Sequence, residues 1–93
     1  MNSTITSQKL EKYFSITKEA LDKAKQALDG SKQADDLWDM ASRYFQDASY
    51  FLKEKEDAVL AFAALNYAHG WLDAGARLGL FKVKDSRLFT VDE

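Results

Sequence analysis

Apolar side chains recur on helical spacings in three successive stretches of the chain. From Ser7 to Leu28 the stripe Leu10, Phe14, Thr17, Leu21, Ala24 and Leu28 advances by threes and fours, which predicts a helix over about 7–29. Thr4, Thr6 or Ser7 can cap its start, and Gly30 can take the left-handed conformation that ends helices. Ser31 then caps a second helix over about 32–53, in which Ala34, Leu37, Ala41, Tyr44, Ala48 and Phe51 hold the spacing without a miss. Trp38, Phe45 and Leu52 widen this stripe, and Tyr50 projects from the opposite, wet side.

The segment Lys53 to Asp57 contains no helix breaker, so a single rod from Ala34 to Leu78 has to be weighed. Phase decides against it. At about 100° per residue, Asn66, His69, Asp73 and Arg77 would fall on the azimuth of the second helix's apolar stripe, so one rod would exchange its wet and dry sides midway. A reversal between Glu54 and Asp57 removes the conflict and yields a third helix over about 57–78, ended by Gly79 and apolar nearly all round. The expected fold class is all-α: a single domain of three antiparallel helices spanning 1–93. The C-terminal tail, 80–93, has two short apolar clusters that could pair as a hairpin, but an isolated hairpin is marginal in water, and the tail is expected to lie extended across the bundle, covering apolar surface of the third helix.

Composition narrows the functional classes. Thirteen basic and fifteen acidic residues give a formal charge of −2, which disfavours nucleic acid and anionic membrane as partners. The chain contains no Cys, which removes thiol chemistry, and no Pro, which suits helices. The amino terminus lacks the basic and apolar regions of a secretory signal, and the longest apolar run, Ala58 to Leu65, is less than half a membrane span. A cytoplasmic protein is expected.

The one constellation with chemical potential is Asn66, His69, Asp73 and Arg77, four polar side chains in line on the third helix, headed by Phe62 on the same azimuth. His69 and Asp73 could share a proton, but two ligands do not close a metal site, and no strained nucleophile turn accompanies them. No catalytic residue, cofactor or metal is expected. The acidic residues Asp35, Asp36 and Asp39 are explained by the dipole at a helix start. Gly70 and Gly75 weaken the interior of a helix and call for close approach of a ring such as Trp38 or a tail aromatic, or, at Gly70, of a ligand or second chain. The candidate interaction surface is therefore Phe62, Asn66, His69, Gly70, Asp73 and Arg77.

The string Leu65-Asn66-Tyr67-Ala68-His69-Gly70-Trp71-Leu72-Asp73-Ala74-Gly75, with the following Ala76 to Leu80 and the late Leu88-Phe89-Thr90-Val91, resembles the signature of an archaeal family, domain of unknown function 357. The resemblance covers essentially the whole chain. It implies an up-and-down three-helix bundle with left-handed twist and no established activity, and relatives joined to a nucleotidyltransferase-like domain would suit an accessory role. Two functions stand open: a non-enzymatic module for a protein partner or self-association, a homodimer included, and an accessory of nucleotide- or RNA-linked chemistry of the HEPN kind. The second rests on fold analogy, and the expected Arg-before-His order is reversed between His69 and Arg77.

Overall fold

The computed structural model describes residues 6–89, in the order α1 (Ser7–Gln26), α2 (Lys32–Lys55) and α3 (Ala58–Arg77). Each helix is started by a side chain that accepts a hydrogen bond from an amide otherwise left without a helical partner. The Thr6 hydroxyl accepts from Lys9 N–H at 3.1 Å, the Ser31 hydroxyl from Ala34 N–H at 3.1 Å, and the Asp57 carboxylate from Leu60 N–H at 3.0 Å. Of the three proposed caps for α1, Thr6 takes the role, while Thr4 lies outside the described residues. The break between α2 and α3 falls inside the expected segment. Glu56 is left-handed, with φ of 51°, and its amide and that of Asp57 both donate to the Phe51 carbonyl.

One boundary differs from the expectation. Helix α1 stops at Gln26, three residues short of the expected end, and Leu28 is not part of its stripe. The cause is competition for backbone groups. The Ala27 carbonyl accepts from Lys82 N–H at 2.8 Å and Asp29 N–H donates to the Leu80 carbonyl at 2.9 Å, so that Leu28 and Phe81 form an antiparallel bridge instead of another helical turn.

Packing is unequal among the helices. The most extensive interface is that of α2 with α3, and α1 lies more lightly on both. Helix α2 contributes mainly small side chains to the interior, with Ala34, Ala41 and Ala48 fully buried. Trp38 flanks that row and donates its indole N–H to the Leu21 carbonyl at 2.9 Å, tying α2 to α1. Tyr50 is 49 % exposed, as its position opposite the stripe requires.

Around Ala20, Ala24, Ala34 and Ala41 the helices present small side chains, and in that half of the core the tail adds bulk. Phe81, Leu88 and Phe89 are each about 1 % exposed and pack with Ala20, Leu21, Ala24 and Leu72. The route begins at a left-handed Gly79, with φ of 76°. Its N–H donates to the Ala76 carbonyl and Leu80 N–H donates to the Gly75 carbonyl, a bond pattern that turns the chain back on its own helix. Phe81 then packs its ring against Gly75. A second turn, 85–89, is organised by Asp85, whose carboxylate accepts from Arg87 N–H at 3.0 Å while its carbonyl accepts from Leu88 and Phe89. The tail is therefore packed on the bundle but is not extended throughout, and Thr90 and Val91 lie outside the described residues.

Candidate functional site

Helix α3 has three distinct sides. One is buried against the rest of the bundle and carries Ala61, Ala64, Leu65, Ala68, Leu72 and Ala76. A second faces α1 across a groove of about 360 Å³, lined by Tyr13, Thr17, Asn66, His69, Asp73 and Arg87 among others. The third faces water and is mostly apolar. On it Val59, Tyr67 and Leu78 are 67 %, 63 % and 70 % exposed, Leu60, Ala63 and Gly70 are exposed as well, and Asn66 and Arg77 are the polar members. The apolar character of α3 expected to be hidden beneath the tail is thus only partly hidden. The described part of the tail seals the Gly75 end and leaves Val59, Leu60, Ala63 and Tyr67 exposed, the Tyr67 ring being stacked on Tyr44 of α2 at 5.3 Å between centroids.

The six proposed surface residues divide among these sides. Phe62 is half-buried, with its ring edge-on to Tyr13 of α1 at 5.2 Å between centroids. His69 and Asp73 are half-buried in the α1–α3 groove with Nε2 and Oδ1 3.8 Å apart, a distance for an ion pair but too long for a hydrogen bond. Asn66 and Gly70 stand at the rim between groove and water-facing side, and Arg77 is exposed near the end of the helix. Arg87, the arginine that lines the groove, was not legible in the spacing because it arrives from the tail. The acidic residues at the start of α2 are engaged by their own helix, Asp36 with Lys32 at 2.8 Å and Asp39 with Arg43 at 2.9 Å. Among the described residues no group of three or more His, Asp or Glu is arranged to hold a metal ion, and no helix is long and apolar enough to cross a membrane.

The two interior glycines have different surroundings. A methyl group at Gly75 would overlap the Phe81 ring, with Cδ2 and Cζ only 2.5 and 2.7 Å away, so packing requires glycine there. At Gly70 an added methyl would meet no atom within 4 Å. Glycine in a helix interior costs about 1 kcal/mol relative to alanine, and among the described residues no close packing at Gly70 offsets that cost.

Four charges join the tail to α1 beside the groove. Arg87 grips Glu19, with Nη1 to Oε1 at 3.2 Å, and Lys23 reaches Asp85 at 3.2 Å. The Arg87 hydrogen bond holds the Glu19 carboxyl below its ordinary value of 4.5, and the Lys23 hydrogen bond, joined by the Arg87 amide, holds Asp85 below 3.8. A carboxylate with a depressed folded-state pKa contributes stability above its unfolded value and loses it as pH falls through the folded value. Acidification below about pH 4 is therefore expected to withdraw the clamp's small contribution to tail docking. Emission from Trp38 and Trp71, which flank the tail's core, reports that step, and Arg87→Met should move its midpoint upward; an unshifted midpoint would detach the clamp from tail docking.

A family model described as protein of unknown function (DUF357) matches residues 12–81. No curated protein and no solved structure matches the chain. The matched segment ends at Phe81, before the second turn of the tail delivers Leu88 and Phe89 to the core.

Proposed function

The chain belongs to the DUF357 family of unknown function, and on that premise we propose that it is a cytoplasmic, non-enzymatic interaction module whose contact surface is the water-facing side of α3. What carries this reading is the exposure of Val59, Leu60, Ala63, Tyr67 and Leu78 along one helix. Single exposed apolar residues are ordinary, but an aligned row on the most apolar helix keeps hydrocarbon in water that a partner would remove. The groove residues Asn66 and Gly70 border the row, so the proposed surface of the third helix is retained in part and enlarged toward the amino end of α3.

The nucleotide- or RNA-linked alternative has less support. The net charge of −2 provides no attraction for a phosphate chain, and Arg87 in the groove is already held by Glu19.

A photo-crosslinking amino acid placed at Ala63 tests the reading in cells that naturally make the protein. It should join the chain to another polypeptide, whether a second copy or a different protein, while the same group at the exposed Asp36 on α2 should not. Absence of any adduct at Ala63, with the protein folded, would remove the reading.

A further inference from the structure

We infer that the occupant of the α3 surface is a second copy of this chain, docked with the two α3 helices antiparallel; this rests on the reading of that side as a contact surface. The exposed residues Val59, Ala63, Gly70 and Arg77 and the half-buried Ala74 follow one another at helical spacing, so they form a single seam about 27 Å long. A two-fold axis crossing α3 midway between Ala63 and Gly70 makes the seam complementary to itself. Ala63 then faces the partner's Gly70, and Val59 faces the partner's Ala74. A contact between identical surfaces requires this kind of reciprocal pairing.

Two features select this arrangement over others. The first is charge. Glu56 stands at the turn before α3 and Arg77 at its far end, so an antiparallel pair sets opposite charges against each other at both ends of the seam. A parallel pair would set Glu56 against Glu56 and Arg77 against Arg77, and it would align the helix dipoles unfavourably. The second is Gly70. Its missing side chain, unexplained by anything within 4 Å, leaves room for the backbone of a neighbouring helix to approach at the level of Ala63.

Sedimentation equilibrium over micromolar to millimolar concentration should give a two-chain mass at the upper end. Ala63→Glu and Val59→Lys change residues exposed in the isolated chain, so both should stay helical by circular dichroism and both should be monomeric. Gly70→Ala should move two readouts in opposite directions: the dissociation constant rises about tenfold or more, whereas the melting temperature of the dissociated chain rises. Glu56→Arg and Arg77→Glu should each weaken the dimer, and the double variant should restore it. A wild-type mass of one chain throughout, or a dimer that survives both Ala63→Glu and Val59→Lys, overturns the inference. A monomer whose Ala63 crosslinks to a different protein also overturns it while leaving the contact surface standing, and a chain without any Ala63 adduct defeats both.

Discussion

Replacing Gly75 with alanine is expected to destabilise the protein by about 2–3 kcal/mol, although alanine is the better helix former. For a chain of this size that corresponds to a fall in melting temperature of roughly 10–20 °C. The size of the effect follows from how little the Phe81 ring can retreat. Phe81 N–H donates to the Gly75 carbonyl at 3.2 Å, and the residues on either side are pinned to the end of α1 through Leu80 with Asp29 and Lys82 with Ala27. The ring is 1 % exposed, so any withdrawal pushes it into the rest of the core. A double-mutant cycle with Phe81→Leu separates this clash from a general loss of helix. Urea denaturation should show that Gly75→Ala costs less in the Phe81→Leu background than in the wild type. Strict additivity of the two changes would mean that the ring and the glycine do not constrain each other. Gly70→Ala, five residues earlier on the same helix, is the internal control, because there the methyl meets open space.

The contrast between these glycines marks how far the amino-acid sequence can be read. The spacing of Ala34, Leu37, Ala41, Tyr44, Ala48 and Phe51 shows α2 directly, because a helix half-buried on its neighbours leaves its period in the chain. The break at Glu56 was legible only through phase, since neither Glu56 nor its neighbours are residues that usually end helices. The early end of α1 was not legible at all. It depends on Ala27 and Asp29 giving their backbone groups to a segment more than fifty residues away, and Gly30 was the more obvious stop. The need for a close-approaching ring at Gly75 could be inferred, and a tail aromatic was one of its candidates; that the same explanation fails at Gly70 required the neighbours to be seen.

The candidate site was blurred for a related reason. Asn66, His69, Asp73 and Arg77 share a polar azimuth, but burial is decided by where α1 lies, and α1 covers part of that azimuth. His69 and Asp73 therefore turn into a groove, while the side left to water runs through Val59, Ala63 and Tyr67 with Gly70 at its border. An apolar helix in a three-helix bundle has more hydrocarbon than two neighbours can cover. The surplus was readable from composition, but how much of it the tail covers was not, because that depends on the turns at Gly79 and Asp85.

The strongest expected effect concerns that tail. A chain ending at Val83 keeps all three helices and the whole segment matched by the family model, yet it lacks Leu88 and Phe89. Removing one buried leucine and one buried phenylalanine costs about 2–5 and 3–5 kcal/mol, so their joint loss is comparable to the entire stability of a small domain. Neighbouring alanines cannot close the space, because Ala20, Ala24, Ala34 and Ala41 have no side chain long enough to reach across it. The truncated chain should keep much of its far-ultraviolet helical signal, lose the near-ultraviolet signal of Trp38 and Trp71, and unfold without a sharp transition. Arg87→Met in the full chain serves as the comparison. It breaks the exposed grip on Glu19 but leaves Leu88 and Phe89 in place, and exposed ion pairs contribute little, so its unfolding should remain cooperative with nearly the wild-type midpoint at neutral pH. A truncated chain that unfolds as sharply as the full one would show that the helices can fill their own core. Failure confined to the truncation would instead make the tail the fourth element of the fold, needed because in the half of the core around Ala20, Ala24, Ala34 and Ala41 the helices leave a space that Phe81, Leu88 and Phe89 fill.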